Sequence, residues 1–184
     1  MKLLSWNVRG MNAPDKWHLI KHLIDDTKGD IWLLQETKWN KAEIDAKMRV
    51  WKQWNGLFRQ SDGASSVLGI IWNPMNVKIS LVGEDKYWQH CSVTILGRNE
   101  NFNLFNVYEP YTVGNKRDLW DLLSIKLNSI TDGSCVVAGD FNAILSGTKK
   151  SGGIQRTGTS QKDFLNFVEK NHLLDIVPKN GIFT

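Results

Sequence analysis

Cysteine is scarce in this 184-residue chain, with only Cys91 and Cys135 present. Each lies in an apolar, strand-like run (QHCSVTIL and SCVVAGD), where a small buried thiol belongs, so both are read as reduced core residues. No run approaches the roughly eighteen consecutive apolar residues of a membrane span, which excludes a helical membrane protein. The opening MKLLSWNVRG lacks the apolar stretch and small-residue cleavage site of a secretory signal, because Trp6, Asn7 and Arg9 interrupt it. An intracellular protein is expected. Dense basic runs are missing too: a net charge of +4 is compatible with a polyanionic partner without identifying one. Repeats, low-complexity tracts and linkers are absent, so residues 1–184 are read as one domain.

Tryptophan is abundant. Nine are present in a chain that is 41% hydrophobic and 23% charged. Aromatic rings can stack on bases, but in a domain of this size most are expected to fill the core.

The periodicity predicts alternation of strands and helices at both ends and a run of strands between. Residues 2–8 read as a strand, followed by a helix opened by Pro14 with Trp17, Ile20, Leu23 and Ile24 on one face. The strand DIWLLQE comes next. Asn40 with Glu43 then forms a capping-box pattern for a helix running to Trp51. Strands are predicted at about 54–60, 66–72, 77–82, 87–96 and 102–108, separated by turn chemistry and read as an antiparallel meander. A helix over about 115–130 carries Leu119, Leu122, Leu123, Ile125 and Leu127. The strand VVAGD, a Gly-rich loop, a helix over about 160–171 and a terminal turn into a strand at VPKNGIFT complete the chain. This pattern suggests a layered α/β sandwich with helices outside packed sheets.

Three short apolar strands end in polar side chains: KLLSWN in Asn7, IWLLQE in Glu36, and CVVAGDFN in Asp140 and Asn142. Carboxyl ends of neighbouring strands in an α/β sheet converge on one crevice, so these groups could share a site. Hard oxygen donors with few carboxylates suit Mg2+, which keeps several waters. A His or Cys cluster for zinc is absent. Taken singly, each residue also reads as an ordinary turn former or helix cap; their combination favours a site.

SWNVRG, LLQETK, NVYEPY and GDFNAI follow one another in the order and approximate spacing of the endonuclease/exonuclease/phosphatase superfamily. The sequence most resembles the endonuclease domain of plant LINE-type (non-LTR) retrotransposons, through WNVRG, GDFN and the KKSGG loop. The resemblance covers essentially the whole chain and implies a DNase I-like four-layer α/β sandwich. It implies that Glu36 binds the metal, with Asn7 beside it as a ligand or as an orienter of the metal's waters. Asp140 would orient or deprotonate the attacking water, Asn142 would hydrogen-bond the scissile phosphate or that water, and the Tyr108 hydroxyl would contact the phosphate. Glu109 departs from the small residue usual in LINE-type sequences, and its charge is expected to weaken substrate binding next to Tyr108. Lys38, Lys149, Lys150 and Arg156 are candidate DNA contacts, each with solvated surface charge as its alternative.

The family pattern also calls for a later Asp and a terminal Ser-Asp-His motif, and no Ser-Asp-His occurs in this sequence. His18 and His22 share the polar face of the first helix, His90 alternates within a strand, and His172 lies at a helix end; none matches the motif. The resemblance therefore implies a chain cut short by roughly a quarter of a domain, without the C-terminal strands and with an unpaired edge near Asn7. The expected function is Mg2+-dependent phosphodiester hydrolysis, with Mn2+ as the alternative ion, by a LINE-type DNA endonuclease. Its partners would be DNA and a reverse transcriptase domain in the full-length reading frame, its location the nucleus. A reading of a different class is a catalytically inactive remnant or non-catalytic nucleic-acid-binding fragment. A third is a phosphatase acting on small or lipid substrates.

Overall fold

The computed structural model describes residues 1–9, 14–60, 66–98, 100–110, 112–142 and 159–176. The side chains of 14–18, 60, 66–67, 113 and 159–160 are outside that description, and so are the predicted roles of the Trp17 and His18 side chains. The predicted terminal strand at VPKNGIFT also lies outside the described residues. The elements are β1 (Leu3–Asn7), α1 (Pro14–Thr27), β2 (Ile31–Gln35), α2 (Lys41–Val50), β3 (Asn55–Gln60), β4 (Ser66–Trp72), β5 (Val77–Asp85), β6 (Trp88–Ile95), β7 (Glu100–Tyr108), α3 (Val113–Asn128), β8 (Ser134–Asp140) and α4 (Thr159–Lys170).

The chain divides into two compact units. The first comprises Met1–Tyr108 with Gly133–Asp140, the second Glu109–Asp132 with Phe141–Thr184.

In the first unit two four-stranded sheets form, with orders β1-β2-β4-β3 and β5-β6-β7-β8. Each contains one parallel pair, β1 with β2 and β7 with β8, and its remaining neighbours are antiparallel. A parallel pair needs a long crossover, and in the chain α1 links β1 to β2 and α3 links β7 to β8. The predicted meander is thus split: β3 and β4 pair in the first sheet while β5, β6 and β7 pair in the second. The turn at Asn73–Asn76 separates strands that belong to different sheets, because pairing β4 with β5 would leave no second sheet to cover the apolar face of the first. Among the described residues β1 and β8 stand at the ends of their sheets.

Two cores result. Ile31, Leu33, Ile70 and Trp72 of the first sheet pack on Val77, Ile79, Cys91, Val93, Phe102 and Leu104 of the second. On the other face, Trp32, Leu34 and Ile71 meet Ile20 and Ile24 of α1 and Ile44 of α2, with Trp39, Trp51 and Trp54. Both faces of β2 are therefore buried, which explains its unbroken apolar run. The tryptophans act as core here. Leu23, expected on the buried face of α1, is 39% exposed; among the described side chains of α1, Ile20 and Ile24 carry the contact stripe.

Buried amides cross between the sheets. Gln35 Nε2 donates to Asn106 Oδ1 at 2.7 Å, and Asn106 Nδ2 donates to the Gly69 carbonyl at 3.1 Å. Both residues are fully buried, so each needs the other to satisfy its polar atoms. The two cysteines are free; Cys91 is buried as expected, and burial reinforced by Glu84 pushes its thiol up to about 12. Cys135 is only partly buried, because it lies on edge strand β8 and not in the core.

The predicted capping box is present: the Asn40 side chain accepts from Glu43 N at 2.9 Å and Glu43 returns a bond to Asn40 N at 2.7 Å.

In the second unit α3 and α4 meet through Trp120, Phe164 and Phe167, with Phe141 beside them. Leu119, Trp120 and Leu123 are buried, whereas Ile125 is 65% exposed, a position the predicted apolar face had included. Glu109, fully buried, accepts from Lys116 Nζ at 2.6 Å. The charge expected to disturb a phosphate contact is offset by a lysine one helical turn into α3. No helix among the described residues is long and apolar enough to cross a membrane.

Candidate active site

The parallel pair in each sheet carries the polar strand ends. Asn7 is the last residue of β1 and lies in register with Gln35, the last of β2. Tyr108 and Asp140 end β7 and β8 and are likewise partners in register. Neighbouring parallel strands finish at the same level, so their terminal side chains are brought out together.

Gly139 makes that possible on β8. Its φ is +148°, and a methyl group there would overlap the Val107 carbonyl, so the backbone reaches Asp140 by a path that a side chain blocks. On β2 the exit is set by Glu36 itself, which follows the last strand residue with φ 52°. That left-handed backbone is unfavourable for a glutamate, and such strain clusters at functional positions.

Asn7 joins these ends. Its Nδ2 donates to Glu36 Oε1 at 2.8 Å and to Asp140 Oδ2 at 2.6 Å, while its Oδ1 accepts from the Arg9 backbone N–H at 2.9 Å. One neutral amide thus holds two carboxylates, each through one of its N–H bonds. Glu36 is 6% exposed, Asp140 is half-buried and Tyr108 is buried. Two carboxylates kept this close repel each other, and away from bulk water the repulsion is poorly screened.

A positive charge meets one of them: Arg9 Nε is 3.6 Å from Glu36 Oε2. Sequence reasoning passed over Arg9 as a site residue. The available signal was its position two residues after Asn7 in the SWNVRG motif.

The other candidates are placed as follows. Lys38 is exposed, two residues beyond Glu36, with φ 52°. Asn142 belongs to the second unit, has φ 44°, and donates from Nδ2 to the Glu109 carbonyl at 3.2 Å. Lys149, Lys150 and Arg156 lie outside the described residues. His22 is exposed on α1, and His90 is buried in β6, with Nε2 2.8 Å from Asn103 Oδ1 and its ring stacked on Phe105. His172 is exposed after α4.

The donor set of this site is hard oxygen: two carboxylates in reach of one amide. Among the described residues no three His, Cys, Asp or Glu side chains come together. Such a set fits Mg2+, which needs one or two acidic ligands and retains water, better than it fits zinc.

Comparison with known proteins gives the same chemistry a family context. The model of a family described as the endonuclease/exonuclease/phosphatase family matches residues 4–160. Among solved structures, the endonuclease domain of TRAS1, a telomere-specific non-LTR retrotransposon, is similar with a TM-score of 0.70 and 10% identity, over 92% of this chain and 71% of that one. The 3'-5' exonuclease NExo of Neisseria meningitidis is similar with a TM-score of 0.64 and 18% identity, over 92% of this chain and 71% of that one. D. rerio TDP2 complexed with a single-strand DNA product is similar with a TM-score of 0.63 and 14% identity, over 94% of this chain and 65% of that one. This chain therefore spans just under two thirds of the TDP2 chain that it matches. At these identities the likeness is one of fold: two sheets with helices, the DNase I-like α/β arrangement.

Proposed function

Because the chain belongs to the endonuclease/exonuclease/phosphatase family, we propose that it is a metal-dependent phosphodiesterase acting on DNA, an endonuclease of the LINE-retrotransposon type. One observation carries the reading: Asn7 Nδ2 holds the Glu36 and Asp140 carboxylates at 2.8 and 2.6 Å, at the ends of β2 and β8. Nothing about strand pairing calls for two acids at that spot, whereas a cation site does. The similarity to the TRAS1 endonuclease domain supports the retrotransposon assignment, and the WNVRG, GDFN and KKSGG motifs favour the plant type. Neisserial NExo bound to a product DNA hairpin and TDP2 bound to single-strand DNA product support DNA as the substrate. That substrate would place the activity in the nucleus, in company with a reverse transcriptase domain of the same reading frame.

Glu36 would hold Mg2+, or Mn2+ in its place, with Asn7 fixing the direction of the carboxylate. When bound, the ion neutralises charge on a phosphoryl oxygen and steadies the leaving group. Asp140 would orient the attacking water and accept its proton, its own position set by the Asn7 amide. Tyr108 would donate its hydroxyl to the phosphate, and Asn142 its amide to the phosphate or to the water. Lys38, Lys149, Lys150 and Arg156 would contact the DNA backbone, which gives affinity and salt dependence without sequence preference.

The protein is expected to nick supercoiled plasmid in Mg2+ and not in EDTA, with Asp140→Ala reducing the rate by about 100-fold or more. A second reading is DNA binding without turnover. Retardation of DNA on a gel without nicking above the Asp140→Ala level would establish the second reading and overturn the first.

A further inference from the structure

Arg9 is a cation at the site to which the proposed reaction assigns no role. Its Nε lies 3.6 Å from Glu36 Oε2, and its side chain is 69% exposed while that of Glu36 is 7% exposed. Its backbone N–H is tied to Asn7 Oδ1 at 2.9 Å, so the residue is anchored to the site while its side chain approaches from solvent. A side chain this exposed leaves its contact with little packing to break. A divalent ion bound to Glu36 would oppose the guanidinium strongly at that distance, in a setting where one partner is buried. A phosphodiester relieves the opposition: it carries one negative charge and two non-bridging oxygens, which the guanidinium fork matches.

We propose that Arg9 is a two-position cation, holding Glu36 when no divalent ion is bound and moving to a phosphate oxygen of DNA when one is, so that ion and DNA bind cooperatively. The proposal rests on the cation and DNA reading above and adds how the two ligands are coupled. Its consequences have opposite signs. Without DNA, Arg9 competes with the ion for Glu36 and weakens ion binding. With DNA, the competition is lifted, and by linkage the ion strengthens DNA binding by the same factor by which DNA strengthens ion binding.

The test uses Mn2+ as the probe, its free-ion electron paramagnetic resonance signal being titrated against wild type, Arg9→Gln, Arg9→Lys and Glu36→Gln. Each is measured alone and with a phosphorothioate duplex that resists hydrolysis, and circular dichroism checks the fold. Arg9→Gln is expected to bind Mn2+ roughly five- to tenfold tighter than wild type without DNA and to lose the tightening that the duplex confers. Its DNA affinity in Mn2+ should fall, with the log–log salt slope reduced in magnitude by about 1. Arg9→Lys, which keeps the charge, should stay near wild type in Mn2+ affinity. Equal Mn2+ affinity in wild type and Arg9→Gln, with binding lost in Glu36→Gln, would overturn the role of Arg9 and leave the cation site standing. Folded wild type and Arg9→Gln that both fail to bind Mn2+ would overturn the cation site and this proposal with it.

Discussion

At the residue scale, Asn7 decides whether the two acids can coexist. It supplies both N–H bonds of one amide to two carboxylates, so the group that replaces it must donate twice. Asn7→Asp keeps the shape and substitutes a third carboxylate for the donor. We expect a loss of about 1–3 kcal/mol in thermal or denaturant melts at pH 7, partly restored by millimolar Mg2+; stability equal to wild type would show that the acids do not depend on Asn7. The identities of Asn7, Glu36 and Asp140 as polar ends of apolar strands were legible in the sequence, because a polar side chain closing a short apolar run breaks the local pattern. Arg9 was not, since an exposed arginine after a strand is ordinary surface until a carboxylate is found 3.6 Å from it. The ion pair of Glu109 was not legible either. Its partner Lys116 is seven residues away, and the pairing depends on α3 turning Lys116 back toward it.

At the element scale, strand ends and caps followed local rules. The Asn40–Glu43 box and Pro14 mark helix starts through chemistry confined to one turn, which is why they were readable. Burial of helix faces was readable only in the centre of each stripe. Ile20, Ile24, Leu119 and Leu123 are buried, whereas Leu23 and Ile125 lie at the rim and remain exposed. Strand β8 owes its end to Gly139, where the close approach to Val107 leaves no room for a Cβ. Gly139→Ala must push β8 off β7 or twist Asp140 away, and we expect a loss of roughly 3 kcal/mol or more together with loss of nicking. A protein that melts like wild type after this substitution would mean that β8 can shift at little cost and that Gly139 does not set its end.

At the scale of the whole molecule, the relation between sheets in the first unit is set by buried polar groups as well as by packing. Gln35 precedes Glu36, and Asn106 lies two residues before Tyr108, so their 2.7 Å bond couples the strand that carries the metal candidate to the strand that carries the phosphate candidate. Asn106→Leu removes the acceptor of Gln35 and the donor to the Gly69 carbonyl. Burying those orphans should cost about 2–4 kcal/mol, and adding Gln35→Leu should recover part of it in a double-mutant cycle. Simple additivity of the two losses would show that the amides do not act as a pair. The sequence by itself determined the element types, the helix caps, the family motifs and the polar strand ends, because each depends on residues a few positions apart. Only the tertiary structure decided that the central strands divide between two sheets, that Arg9 faces Glu36, and that Asn7 meets Asp140 across 133 residues. Such contacts follow from which apolar faces must cover one another, a condition on the folded chain as a whole that no local pattern contains.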